Sequence, residues 1–153
     1  MPWMYSTGVR SITASNTDDN IALDAVSAGI GKVKEIHWGG EATTSTAMHT
    51  RLSRANGEAG AQTNGNVAKI EGEGVPTNDI DSVTTYATTQ PALNAADIYT
   101  ESWNAHGGVI RWLADPEEEV WLITGQVLDI LSCRNSVGTA TSSYEIKWAE
   151  IST

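Results

Sequence analysis

Hydrophobic and polar residues alternate near the end of the chain. Tyr144, Ile146 and Trp148 lie on one side of an extended segment, and Glu145 and Lys147 lie on the other. Because successive side chains of a β-strand point to opposite faces, this period of two predicts a strand with one face in a core. Three further segments are short, rich in β-branched and aromatic residues and bounded by Gly, Pro, Asn or Ser, and they predict strands as well: residues 107–113, 120–123 and 127–133.

Similar patterns recur through the earlier part of the chain. Strands are predicted for residues 9–14, 21–26, 32–38, 47–52, 67–70, 83–88 and 97–103. A short helix competes with the strand at 21–26, where the alternation is weaker. The Gly-Gly and Thr/Ser turn between 32–38 and 47–52 predicts that these two strands form a hairpin. Residues 53–66 contain two Asn-Gly turn signals and few apolar residues, which indicates a long surface loop.

About eight to ten short strands at this spacing are typical of an antiparallel β-sandwich, a jelly roll or a small barrel. We therefore predict an all-β fold, a single-domain antiparallel sandwich of the jelly-roll type. Residues 10–153 are predicted to form this domain, and no internal repeat or domain boundary interrupts them.

Residues 1–9 are predicted to form an N-terminal arm. Trp3, Met4 and Tyr5 give this end of the chain an apolar surface that no predicted strand needs. A free apolar terminus is usually disordered, so the arm is expected either to contact a partner or to fold back and complete the core. Most of the six Trp are expected in the core, but Trp38 and Trp103 join the arm as candidate interface residues because Trp is enriched at interfaces.

The charge balance excludes several classes of partner. The chain of 153 residues carries a net charge of −10, and no cluster of Lys and Arg offsets it locally. Such a surface repels nucleic-acid phosphates and anionic lipids, so we expect neither nucleic-acid nor membrane binding. No apolar run approaches the roughly 20 residues that span a bilayer, and no signal peptide is recognisable at the start. The single Cys133 fits synthesis in a reducing cytosol.

No residue pattern indicates catalysis. His37 and His49 could lie side by side on the predicted hairpin and bind a metal with Glu35, but ordinary hydrogen-bonded histidines explain them better. Cys133 ends an apolar run, where a buried and inert thiol is expected. The acidic segment 115–119 has no ordered Ca²⁺-binding spacing and indicates a solvated turn. We expect no enzyme activity, no cofactor and no metal.

Three stretches together resemble a known class of proteins. They are residues 31–38 with the Thr-rich turn at 43–47, residues 107–114 with 118–123, and the closing segment 135–151. Their layout over residues 20–151 resembles the small jelly-roll-like virion proteins of tailed bacteriophages, especially the head decoration (cement) proteins. The resemblance implies a non-enzymatic homotrimer that binds the major capsid protein on the virion surface after synthesis in the host cytoplasm.

Two other classes stay open at this point. A carbohydrate- or receptor-binding sandwich of a phage tail fibre or appendage would present exposed Trp and Tyr beside Asp and Asn, and glycan binding would favour it. A small cupin-like or hydrolytic β-protein would need clustered histidines, and metal analysis of the purified protein would favour that class.

Overall fold

The computed structural model describes residues 3–26, 29–57, 61–70, 79–117 and 119–151, and all regular structure in these ranges is β-strand. The first six strands are β1 (Trp3–Thr13), β2 (Ile21–Ala25), β3 (Ile30–Glu41), β4 (Ala47–Asn56), β5 (Gln62–Asn64) and β6 (Val67–Lys69). The last six are β7 (Ile80–Tyr86), β8 (Ala92–Asn104), β9 (His106–Leu113), β10 (Val120–Ile123), β11 (Ile130–Val137) and β12 (Thr141–Ile151). No helix in the described part of the chain is long and apolar enough to cross a membrane.

The strands form two antiparallel six-stranded sheets that pack face to face. Sheet A has the order β10-β3-β12-β1-β6, and β9 pairs with the same edge of β3 as β10 does. Sheet B has the order β5-β7-β2-β11-β4-β8. The central orders β1-β12-β3-β9 and β2-β11-β4-β8 are those of a jelly roll, in which the chain passes from one sheet to the other along its length. The predicted single-domain antiparallel β-sandwich is confirmed.

The space between the sheets is filled by side chains that alternate with outward-facing residues along each strand. In β12, Tyr144, Ile146 and Trp148 are at most 1 % exposed, as their alternation with charged residues predicts. The largest fully buried side chains are Trp38, Trp148, Tyr5, Tyr144, Ile21, Leu23, Ile36, Met48, Leu52, Ile80, Leu122 and Ile130. This filled interior leaves the two outer faces and the strand edges as the places where a partner can bind.

A second, smaller core lies on the outer face of sheet B. It consists of Ala22, Ala55, Val83, Tyr86 and Ile130, with Leu93 packed against them. Because β2 lies in the middle of this sheet and is covered on both faces, all five of its residues are buried. This explains the weak alternation at 21–26, and the strand interpretation of that segment is correct while the helical alternative is wrong.

The described residues of the predicted arm belong to the sandwich. In β1, Trp3 to Val9 pair with β12 in an unbroken antiparallel register, and Tyr5 to Thr7 pair with β6 on the other side. Tyr5 is 2 % exposed. The division into an arm at 1–9 and a domain from residue 10 is therefore corrected from residue 3 onwards. This segment follows the second of the two alternatives, folding back and completing the core, because its backbone groups and its apolar side chains are both used inside sheet A. Residues 1 and 2 lie outside the described ranges.

The predicted hairpin between residues 32–38 and 47–52 is wrong. β3 pairs with β9, β10 and β12, whereas β4 pairs with β8 and β11 of the other sheet. The turn between β3 and β4 therefore crosses from sheet A to sheet B. The predicted loop at 53–66 begins later than expected, since β4 extends to Asn56, and β5 lies within it.

We predict that β1 is required for folding. Replacing Tyr5 by Ala should lower the free energy of unfolding by about 3–5 kcal/mol, because it leaves a cavity beneath Trp148. Ser6→Ala, at the neighbouring outward-facing position, is the control and should change it by less than about 0.5 kcal/mol. Urea unfolding followed by Trp fluorescence measures both. Equal stability of Tyr5→Ala and the unmodified protein would contradict this placement of β1.

Candidate interaction surface

Three of the five candidate interface residues lie in the core. Trp38 is fully buried, Tyr5 is 2 % exposed and Trp103 is 8 % exposed. The Trp103 indole donates a hydrogen bond to Thr50 Oγ1 at 2.9 Å, so its polar atom is satisfied inside the domain. These side chains are covered by their own chain, which corrects the prediction that they contact a partner.

The other two candidates lie at the start of β1. Met4 is half-buried on the outward side, and Trp3 is 43 % exposed. The ammonium group of Lys69 lies 3.5 Å from the centroid of the Trp3 ring, a cation–π geometry that covers one ring face. Of the predicted set, only Trp3 therefore offers a large exposed apolar surface.

A larger apolar surface lies on the outer face of sheet A. In β10, Val120 and Leu122 are buried, so Trp121 and Ile123 point outwards and are 40 % and 36 % exposed. The register places Ile123 opposite Ile30 of β3, and Ile30 opposite Ile151 of β12. Side chains directly opposite one another in neighbouring strands share a face and lie in contact distance.

We call Trp121, Ile123, Ile30 and Ile151, together with the neighbouring Val127, the Trp121 patch. Val127 is 80 % exposed in the turn after β10. A hollow of about 340 Å³ beside Trp121 is lined by Arg54, Trp121, Ile123, Gln126, Val127 and Leu128. Lys32 Nζ lies 4.0 Å from the Trp121 ring centroid and covers part of it. An exposed Trp beside a shallow hollow is the usual arrangement of an interface anchor.

The same face of sheet A also has an unusual charge balance. A cluster on this face combines four of the nine Lys and Arg residues with four glutamates: Lys32, Lys34, Arg111 and Lys147, and Glu35, Glu41, Glu119 and Glu145. Within this cluster the charges cancel, although the whole chain carries −10. Another acidic protein is repelled less by this face than by the rest of the surface.

Glu35 lies at the centre of a group of charged side chains on this face. Its carboxylate accepts hydrogen bonds from His37 Nε2 at 2.5 Å, from Lys147 Nζ at 3.2 Å and from Arg111 Nε. These contacts join β3, β9 and β12, and a bulge at Lys34 and Glu35 turns the carboxylate towards all three donors. The hydrogen bond from His37 and those from Arg111 and Lys147 lower the pKa of Glu35 to about 2.

A polar groove of about 680 Å³ crosses the far end of this face. Gly8 and Gly39 leave space on its floor, and Glu41, Glu145 and His37 are among its walls. The Glu41 carboxylate is held by the hydroxyls of Ser11 and Ser143, which lower its pKa. Trp38 and Tyr144 lie beneath the floor and are buried. The groove therefore offers hydrogen-bonding groups but no exposed aromatic ring.

The residues considered for catalysis or metal binding are hydrogen-bonded or buried at separate places in the fold. His37 lies on sheet A with Glu35, whereas His49 lies on sheet B with its Nδ1 2.5 Å from Ser136 Oγ, so the two do not form one site. The structure assembles no group of three or more His, Cys, Asp or Glu that could hold a metal within its described ranges. Burial raises the pKa of the Cys133 thiol, which keeps it protonated and unreactive.

The described residues of the acidic segment, Asp115 to Glu117 and Glu119, lie at a turn beside the same outer face. Glu119 forms ion pairs with Lys32 at 3.0 Å and with Lys34, and these contacts lower its pKa. Glu117 N donates to Asp115 Oδ1 at 3.1 Å. The carboxylate of Glu119 is therefore paired with the lysines of β3, as a turn on a charged sheet face requires.

Sequence reasoning did not single out Trp121 or Glu35 as parts of an interaction surface. The alternation of buried and exposed positions in 120–123 was a usable signal for Trp121, because one of its two faces had to point outwards. Nothing in the sequence places residues of β3, β9, β10 and β12 side by side. That juxtaposition depends on the strand order.

Comparison of the chain with protein-family models, with curated proteins and with solved structures finds no match. The fold and the chemistry of the surface are thus the observations on which a function can be argued.

The Glu35 contacts predict an acid-dependent contribution to stability. Because the pKa of Glu35 is lowered in the folded protein, its ion pairs stabilise the fold above pH about 4.5, and this contribution is lost as the pH falls towards about 2. Glu35→Gln should therefore lower the melting temperature at pH 7, and the difference from the unmodified protein should shrink as the pH falls through that range.

Glu145→Gln is the matched control for this measurement. Glu145 is 40 % exposed and contacts Lys147 at 3.5 Å, so its replacement should change the melting temperature little. A difference between Glu35→Gln and the unmodified protein that stays constant from pH 7 to the acid range would contradict the role of Glu35.

Proposed function

We propose that this protein is a non-enzymatic structural protein of a bacteriophage virion, a decoration protein that binds major capsid subunits on the head surface. The observation that carries the proposal is the outer face of sheet A, where the Trp121 patch lies beside a charge-balanced cluster on an otherwise acidic protein. Jelly rolls are common among viral capsid proteins, and the layout of the sequence resembles that of phage cement proteins.

The composition of this face favours a protein partner. Interfaces combine an apolar centre containing aromatic residues with a polar rim, and Trp and Arg are enriched in them. Here Trp121 and the isoleucines supply the apolar centre, and Arg111 and Lys147 with their glutamates supply the rim. The strands beneath are rigid, so little conformational entropy is lost when a partner binds.

Carbohydrate or receptor binding by a tail-fibre module is the second candidate. The polar groove supports it, since carboxylates and hydroxyls converge on an open space above Gly8 and Gly39. The aromatic residues favour it less. Tyr5, Tyr86 and Tyr144 are buried, and the exposed rings of Trp3 and Trp121 are each partly covered by a lysine. A sugar ring needs a free aromatic face for stacking.

Binding to heads that lack the protein tests the proposal. Heads are prepared from a phage in which this gene is deleted, mixed with purified protein and sedimented. We expect the unmodified protein to sediment with expanded heads, and Trp121→Glu to weaken binding by about tenfold or more, because a charge replaces the apolar anchor.

Val137→Glu is the matched control for Trp121→Glu. Val137 is 53 % exposed at the end of β11 in sheet B, so the same charge is added away from the proposed contact. Failure of the unmodified protein to bind expanded heads would contradict the decoration role, and binding to a glycan array would favour the second candidate. The homotrimer implied by the resemblance stays a prediction, which the solution mass tests.

A further inference from the structure

β9 is an edge strand without the usual protection against pairing. One of its edges pairs with β3 from Val109 to Leu113 in continuous register, and the other has no strand partner within the described ranges. The N–H and C=O groups that alternate along that second edge therefore point away from the sheet. Natural proteins shield such edges with short strands, bulges, Pro or Lys.

The other edge strands do show such protection. β5 and β6 have three residues each, and β10 has four. β8 is long, but its pairing with β4 shifts register twice between Tyr99 and Leu93, and the Asn94 side chain accepts a hydrogen bond from its neighbour's backbone N–H. β9 has one register shift, before Val109, but among the described residues Val109 to Leu113 form a regular run beside an open edge.

The side chains of β9 also favour pairing. From Val109 to Leu113, Arg111 is the single charged residue, and no Pro or Lys is present. Val109 and Leu113 are 71 % and 57 % exposed on the outer face. A regular, apolar and nearly uncharged edge is a predicted site of strand addition.

We propose that β9 of a second copy of this chain covers this edge. An antiparallel edge is complementary to itself, so a two-fold axis satisfies both strands at once and joins the two six-stranded A sheets into one continuous sheet. The charge-balanced cluster on the outer face of sheet A reduces the repulsion that two acidic chains otherwise meet there.

The side chains select one register for this pairing. Inward-facing residues of one strand must lie opposite inward-facing residues of the other. A two-fold axis that passes through the strand pair at Ile110 or at Arg111, here called the centre of the register, achieves this. A centre on Arg111 places two guanidinium groups directly opposite each other. A centre on Ile110 places Arg111 opposite Val109 of the second copy instead, and like charges in direct opposition are destabilising. Of these two registers, the proposal adopts the one centred on Ile110.

This inference does not depend on the capsid-binding role, since strand pairing uses the backbone edge of β9 and the capsid contact uses the outer face of sheet A. A two-fold contact produces even-numbered assemblies. A dimer satisfies it, and so does a hexamer in which trimers are joined in pairs. A monomer or an isolated trimer does not.

Sedimentation velocity and light scattering at micromolar concentration test the contact. We expect the unmodified protein to have the mass of a dimer or a hexamer, and Val109→Lys to raise the dissociation constant of the two-fold contact by about tenfold or more. Val109 is highly exposed, so the variant should keep the circular dichroism spectrum of the unmodified protein. Val137→Lys adds the same charge at an exposed valine at the end of β11 in sheet B and should leave the mass unchanged.

Cysteine cross-linking tests the register. In the register centred on Ile110, the double variant V109C/R111C brings two cysteines of different copies directly opposite each other, and mild oxidation should link the chains. R111C alone should not link, because its two copies lie diagonally apart. A monomeric or trimeric mass, a Val109→Lys protein that assembles normally, or efficient linking of R111C alone would overturn the proposal.

Discussion

Tyr5 and Trp148 lie directly opposite each other on the first and last strands, and their rings stack with centroids 5.7 Å apart. Such a pair contributes about 0.5–1.5 kcal/mol beyond the burial of its area. The contact closes the jelly roll, since it joins the two ends of the chain in the middle of sheet A. The remaining aromatic packing, including Trp103 against Tyr144, fills the space between the sheets and confines any binding function to the outside.

Several buried polar groups complete this interior. The Trp148 indole donates to Glu150 at 2.8 Å, and Glu150 also accepts the backbone N–H groups of Asp79 and Ile80. Burial raises the pKa of Glu150. At the other end of the core, Asn135 Oδ1 accepts hydrogen bonds from the hydroxyls of Tyr144 and Thr50, and Asn135 Nδ2 donates one to the Gly138 carbonyl. Because a buried unpaired polar group costs about 1–3 kcal/mol, these bonds fix which strands face one another.

The two outer faces differ in structure as a result. On sheet B, a second core and the buried ion pair between Asp19 and Arg134 cover the middle strands with the protein's own chain. On sheet A, the outer face stays open and combines the Trp121 patch with the Glu35 contacts. This asymmetry explains why the proposed partner surface lies on sheet A, although both sheets have six strands.

The alternation of residues along the chain determined most strands, as in β12, because local periodicity records which side of a strand is buried. Strand partners were decided only by the tertiary structure. Residues 32–38 and 47–52 looked like a hairpin but lie in different sheets, since a turn signal specifies a reversal and not the sheet to which the chain returns. The first residues looked like an arm because their partner, β12, lies at the opposite end of the chain. The Trp121 patch has the same origin: three separate segments supply it, and long-range pairing brings them together.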